Sequence, residues 1–259
     1  MNNIGFIGTG NMGGALISGI LKAGGRSVYV YDVNKESAEK FVALGAKVCD
    51  SLNDLSDKCD CVILTVKPNI YKIVCAELKS TGYNKTVITV APGITIEKMK
   101  QMLGDVRVVR TMPNTPALIG KGVFLVAGTE EENSDVKELL SCCGKVYFLD
   151  EKQMDAGVAL SGSSPAFVYE LINDIADGAV TEGIPKDKAL EIAAQTVIGS
   201  AMMILETDVH PVKLIDNVCS PGGTTVAAMN KLTEFGFKTA IIEAMKACTK
   251  RAAEMSEKM

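Results

Sequence analysis

The stretch Gly5-Phe6-Ile7-Gly8-Thr9-Gly10-Asn11-Met12-Gly13-Gly14 decides how this chain is read. It holds a G-x-G-x-x-G string that follows a short apolar run, Asn3–Ile7, and opens a helical pattern, Asn11–Ala23. In that setting Gly8 permits a tight turn, Gly10 lets the backbone approach a pyrophosphate, and Gly13 lets the helix pack on the strand. The helix start adds free N–H groups and the positive end of its dipole, which suit phosphates. The string predicts a dinucleotide-binding turn; a purely structural glycine turn is the alternative.

Outward from this point the first half alternates strand-like and helical segments. Apolar runs of strand length fall at Ser27–Tyr31 and at residues 61–66, 86–90, 106–110, 123–127 and 145–149. Helical patterns lie at residues 35–44, 69–79 and 95–102. This alternation predicts βαβ units and a mostly parallel, doubly wound Rossmann-type sheet. After Arg110 the connection is the loop Thr111-Met112-Pro113-Asn114-Thr115-Pro116 rather than a helix, so the sheet should change character there.

Beyond about residue 150 the strand signal stops and helical spacing takes over, which predicts two domains, 1–150 and 151–259. Ser164-Pro165 reads as an N-cap followed by proline at the first helical position. A second helix over 186–206 is apolar on nearly every side, with Leu190, Ile192, Val197, Ile198, Met202, Met203, Ile204 and Leu205. A helix of that kind must be buried. Burial against a second subunit is the first reading, and a core helix within the monomer is the alternative.

Composition narrows the chemistry. The chain has 259 residues, a formal net charge of −4, eight Cys, no Trp and a single His, His210. One His leaves little room for a two-His zinc site or a His-dependent triad, and no metal site is expected. The charge leaves no basic footprint for nucleic acid. No apolar run reads as a membrane span and no leader precedes the first strand, so a cytoplasmic protein with reduced thiols is expected. Cys59-x-Cys61 and Cys142-Cys143, the latter on a helical pattern, fit neither zinc nor thioredoxin spacing and read as structural thiols.

Four further places carry chemistry. Asp32 closes the second strand, where an acid accepts from an adenosine ribose and repels a 2′-phosphate; it also reads as a cap of the next helix. Thr65-Val66-Lys67-Pro68 ends a later strand, where such sheets expose their ligand crevice. Ser220-Pro221-Gly222-Gly223-Thr224-Thr225 precedes a helical segment and is suited to seat a small carboxylate on backbone N–H groups. Ser161-Gly162-Ser163-Ser164-Pro165 lines the same cleft or is only a capped turn.

Together these strings resemble the ordered motifs of the pyrroline-5-carboxylate reductases. Gly5 to Met12, Val66-Lys67-Pro68, Arg110-Thr111-Met112-Pro113-Asn114-Thr115-Pro116, Ser161 to Phe167 and Asp216 to Thr225 occur in that family's order over most of the chain. The resemblance implies reduction of the C=N bond of 1-pyrroline-5-carboxylate to L-proline by NADPH or NADH, the last step of proline biosynthesis. By position it places the coenzyme on Ile7, Gly8, Thr9, Gly10, Asn11, Met12, Thr65, Val66, Lys67 and Pro68, to which the reading of the second strand adds Asp32. The substrate would sit on Ser220, Gly222, Gly223, Thr224 and Thr225, with the Thr225 hydroxyl at the ring nitrogen in the catalytic role. It further implies an all-α C-terminal domain for substrate binding and dimerisation, hence a homodimer or an oligomer built from dimers. Pro92, Phe167 and Asp32 depart from the family's usual residues, and Asp32 bears on coenzyme choice.

The rival readings are another Rossmann/helical reductase of the β-hydroxyacid dehydrogenase or imine reductase type, and a non-catalytic NAD(P)-binding protein. The dehydrogenases use a Lys-x-x-Asn pair; the nearest string here, Lys213 to Asn217, is one residue too long.

Overall fold

The computed structural model describes residues 1–257. Eight strands, β1 (Asn3–Ile7), β2 (Ser27–Tyr31), β3 (Lys47–Val48), β4 (Cys61–Leu64), β5 (Thr86–Thr89), β6 (Arg107–Met112), β7 (Gly122–Ala127) and β8 (Gly144–Leu149), form one sheet. Their spatial order is β3-β2-β1-β4-β5-β6-β7-β8. The chain therefore winds outward from β1 in one direction, then crosses to the other side of it at β4. The crevice beside the carboxyl ends of β1 and β4 is where a doubly wound sheet binds its ligand.

β1 to β6 pair in parallel, β7 runs antiparallel to β6, and β8 is parallel to β7. The change after Arg110 is as the loop predicted, although β6 continues to Met112 before turning. Six helices accompany the sheet: α1 (Asn11–Ala23), α2 (Lys35–Glu39), α3 (Leu52–Lys58), α4 (Tyr71–Ser80), α5 (Ile96–Leu103) and α6 (Ser134–Leu140). Alternation along each strand sends side chains to opposite faces. Ile4, Phe6 and Ile63 pack with Leu16, Ile17 and Ile20 of α1 and Leu139 of α6. Ile7, Val62 and Leu64 pack on the other face with Leu52 and Leu55 of α3, Leu78 of α4 and Met99 of α5. Both faces are covered, so a mostly parallel sheet is stable here.

The segment read as one helix over 35–44 breaks. α2 ends at Glu39, and a 3-10 turn at Val42–Leu44 closes on Gly45, whose φ is 103°. α3 and α6 lack a counterpart in the sequence reading. Cys142 and Cys143 lie in the turn between α6 and β8, not on a helix.

From Met154 the chain is helical without a break: one α turn, α7 (Met154–Gly157), then a π-helical segment, Val158–Ser163, then α8 (Ser164–Thr181). Ser164 therefore does not cap a helix start. Its hydroxyl donates back to the Ala159 carbonyl at 2.7 Å, and Pro165 sits inside the helical run. α9 (Lys186–Thr207), α10 (Pro211–Val218), α11 (Thr224–Glu234) and α12 (Phe237–Glu257) complete the chain.

The chain forms two compact units: Met1–Pro165 together with the residues from Ala247 onward, and Ala166–Lys246. The observed division thus falls at Pro165, and the end of the chain returns to the first unit. The helical unit buries only Ala176, Ala189 and Ala193 among its described hydrophobic residues. Ile192, Ile198, Met203, Leu205 and Phe235 stand between 49% and 81% exposed. α9 also meets the length and composition of a membrane-crossing helix, with a mean hydropathy of 1.3, which corrects the reading that no run does so.

Candidate active site

The glycine-rich turn is held from two sides. Gly8 has φ 98°, a conformation open to glycine, and its N–H donates to the Tyr31 carbonyl at 2.9 Å. A Cβ on Gly13 would lie 2.4 Å from the Gly8 carbonyl oxygen and 2.7 Å from Thr65 Oγ1, so α1 seats against the turn only because position 13 has no side chain. The Thr65 hydroxyl donates to the Gly8 carbonyl at 2.6 Å, while the Thr65 N–H donates to Ile7. A Cβ on Gly10 would meet nothing within 4 Å. Gly10 caps α1 without a side-chain hydrogen bond, which leaves first-turn N–H groups for a ligand. Open space above an uncapped helix start fits the pyrophosphate of a dinucleotide.

Asp32 fastens this turn. Its Oδ2 accepts from the Thr9 N–H at 2.7 Å and from the Thr9 hydroxyl at 2.9 Å, and its Oδ1 accepts from the Asn34 N–H at 2.9 Å. The N-cap of α2 is Asn34, so Asp32 is not the cap of that helix. Its carboxylate stands at the end of β2 beside the turn, where it can still accept from a ribose hydroxyl.

A cleft of about 310 Å³ opens next to the turn, at the carboxyl ends of β4, β5 and β6. Met12, Thr65, Val66 and Pro68, four of the residues that the resemblance assigns to the coenzyme, line it. Lys67 is exposed and is not among the lining residues, and the Ile7 side chain is buried in the core. Val90, Ala91 and Pro92 after β5, Met112 and Pro113 at the end of β6, and Val158, Gly162 and Ser163 of the π segment complete the wall. The sequence reading left the 161–165 cluster open between cleft and cap; Gly162 and Ser163 belong to the cleft. Val158 carried no signal of its own.

The π segment owes its place to polar side chains. Pro165 has no N–H for the Ser161 carbonyl, and that carbonyl accepts instead from Asn114 Nδ2 at 3.1 Å. Asn114 Oδ1 accepts from the Val123 N–H at 2.8 Å, so one amide ties the loop after β6, the start of β7 and the cleft wall. Arg110 supports the same segment from below. Its side chain is 2% exposed and pairs with Asp155 at 2.6 Å and Glu151 at 3.7 Å, while Glu151 Oε1 also accepts from the Ile96 N–H. Cys248 Sγ donates to Ser163 Oγ at 3.1 Å, which leaves the Ser163 O–H to point elsewhere.

In the helical unit, residues 220–223 form a turn closed by the Gly223 N–H on the Ser220 carbonyl at 2.9 Å. That N–H is therefore used internally. α11 starts at Thr224 with Gly223 as an N-cap that makes no side-chain hydrogen bond, leaving the N–H groups of its first turn available. Ser220, Gly222 and Thr224 are exposed, and Gly223 and Thr225 are half-buried. His210 caps α10, its Nδ1 accepting from the Val212 N–H at 3.3 Å.

Comparison with known proteins decides among the rival readings. Over 98% of its length the chain is 39% identical to the pyrroline-5-carboxylate reductase of Escherichia coli (strain K12), covering 98% of that protein. The chain belongs to the pyrroline-5-carboxylate reductase family. Residues 151–255 match the family model for pyrroline-5-carboxylate reductase dimerisation, and residues 3–93 match that for NADP oxidoreductase, coenzyme F420-dependent. The structure is similar to that of the Plasmodium falciparum pyrroline carboxylate reductase with NADP bound, at a TM-score of 0.89 and 29% identity over 98% of both chains. It is equally similar to the 1-pyrroline-5-carboxylate reductase of Streptococcus pyogenes, at a TM-score of 0.89, 32% identity, and 97% and 98% of the two chains. The protein is an NAD(P)H-dependent reductase of a C=N bond, with an N-terminal Rossmann-type sheet and a helical region for self-association.

Proposed function

We propose that this cytoplasmic reductase binds its coenzyme on Gly8, Thr9, Gly10, Asn11, Met12, Asp32, Thr65, Val66 and Pro68, and 1-pyrroline-5-carboxylate on the Ser220–Thr225 turn. The observation that carries the substrate half is the uncapped start of α11 behind a closed glycine turn. The Thr224 and Thr225 N–H groups and the helix dipole neutralise a carboxylate, with the exposed Gly222 and the Ser220 hydroxyl beside them. The Thr225 hydroxyl holds the ring nitrogen.

The α1 start and the Gly10 gap hold the pyrophosphate, and the cleft beside Thr65 and Pro68 takes the nicotinamide. Once bound, the reduced nicotinamide supplies the hydride. The residues of the chain act by placement: the turn neutralises the carboxylate and holds the ring nitrogen, and the cleft holds the nicotinamide among apolar walls. A cyclic imine is basic enough to arrive protonated, so no strong protein acid is required. The helical units assemble two copies into an interlocked dimer, which gives the bare faces of α9 a covering.

Thr225→Ala tests the assignment. The variant should lower kcat by about tenfold to a hundredfold, the range expected when one positioned hydrogen bond is lost, while the coenzyme dissociation constant stays unchanged. An equal loss in both would remove Thr225 from its role. Absence of turnover with 1-pyrroline-5-carboxylate by the intact protein, beside turnover of a hydroxyacid, would overturn the function itself.

A further inference from the structure

Cys142 and Cys143 take no part in the coenzyme cleft or the substrate turn. We infer that they form a peroxide-reactive dithiol, in which Cys142 is the attacking sulfur and Cys143 the resolving one.

The turn between α6 and β8 brings the two sulfurs to 3.6 Å, within hydrogen-bonding distance. Their surroundings differ. Cys143 is fully buried and fills the notch left by Gly19 of α1, where a Cβ would lie 2.3 Å from its sulfur. Its Sγ faces the Leu16 carbonyl at 3.9 Å. Cys142 is half-buried, and its thiol donates to the Leu139 carbonyl at 3.1 Å, a bond it gives up on ionising. Arg26 is the nearby cation. One of its guanidinium nitrogens holds Glu138 at 2.6 Å, while its Nε is buried without a hydrogen-bond partner.

The hydrogen bond from Cys143, followed by the Arg26 charge, brings the Cys142 thiol down to about 7 against the opposing effect of burial. Cys143 is pushed well above the ordinary thiol range, first by its bond to Cys142 and then by burial. An accessible low-pKa thiolate with a resolving thiol beside it is the arrangement found in redox-sensitive sites.

The chemistry closes with hydrogen peroxide as the oxidant. The Cys142 thiolate attacks one peroxide oxygen; the S–O bond forms, the O–O bond breaks, and the departing hydroxide takes a proton to become water. Cys143 then gives up its proton and its sulfur attacks the Cys142 sulfenic acid. The S–S bond forms, the S–O bond breaks, and a second water leaves. Two thiols have lost two electrons and the peroxide has gained them. Adjacent Cα atoms are about 3.8 Å apart, below the usual disulfide span, so the product is strained and easily reduced.

The test treats the intact, fully reduced protein with hydrogen peroxide, alkylates the remaining thiols, and reads the peptide containing both residues by mass spectrometry. The expected peptide has lost two hydrogens, takes up no alkyl group, and regains two after dithiothreitol. It should form several-fold faster than glutathione oxidises in the same tube, because a lowered thiol pKa raises the thiolate share of Cys142 above that of an ordinary thiol, partly offset by lower intrinsic nucleophilicity. Cys143→Ser should stop at a dimedone-trappable sulfenic acid on Cys142. A peptide that stays doubly alkylated, oxidation no faster than that of glutathione, or dimedone capture on the wild-type protein with no loss of two hydrogens would each overturn the proposal. The wild-type measurement stands whether or not the variant folds.

Discussion

A methyl group at position 13 would sit 2.4 Å from a backbone oxygen that cannot move aside, and this one clearance fixes the seat of α1 on the turn. That constraint was legible, because the spacing of Gly8, Gly10 and Gly13 states it locally. The role of Asp32 was only half legible. Its place at the end of β2 follows from chain position, but its grip on Thr9 spans 23 residues and exists only once β1 and β2 are paired. We propose that Asp32 also biases coenzyme choice. A carboxylate there repels a 2′-phosphate, whereas its bonds to Thr9 serve NADH and NADPH alike. Asp32→Ser should therefore weaken both coenzymes and raise the NADPH-to-NADH ratio of kcat/KM on the order of tenfold, about 1.4 kcal/mol. Steady-state kinetics with each coenzyme measures it, and an unchanged ratio would confine Asp32 to holding the turn.

At the scale of elements, the π segment and its supports form the least predictable part of the site. Ser164-Pro165 has the look of a helix start because proline is tolerated in a first turn. The same two residues also fit directly after a π turn, where the proline leaves a carbonyl free. Nothing local distinguishes these cases, since the partner that takes the carbonyl, Asn114, lies 47 residues away. The start of α3 was readable and missed: Ser51 Oγ accepts from the Asp54 N–H at 3.1 Å, an ordinary cap. Arg110 is the buried cation beneath the π segment, so truncating its nearer partner is costly. Asp155→Ala should destabilise the protein by about 2 kcal/mol, less than the 3–5 kcal/mol of a fully buried pair because Glu151 remains. Thermal melting should fall by several degrees. Coenzyme KM should rise as Val158, Gly162 and Ser163 shift, and a lower melting point with an unchanged KM would make the ion pair purely structural.

At the scale of the molecule, the two units differ in how complete they are. The sheet carries a core on each face, while the helical unit buries three alanines and leaves isoleucines, methionines and phenylalanine bare. This imbalance was legible in α9, whose apolar residues fall on nearly every side. The division at Pro165 was not, because α8 continues a helical run that begins in the first unit. Sedimentation at micromolar concentration should show a dimer or a larger assembly of dimers, and a stable monomer would contradict the assembly proposed for the helical unit.

The sole imidazole of the chain caps α10, and every side chain lining the cleft is uncharged, as are those of the Ser220–Thr225 turn. No side chain of the cleft or of that turn is an imidazole, the group whose charge ordinarily changes between pH 5 and 8. With coenzyme and substrate held as proposed, the acid–base behaviour of turnover near neutrality would belong to the imine that enters. The rate of reduction should follow the fraction of substrate already carrying its proton, a single titration curve in place of a bell. On this proposal the acid comes with the substrate.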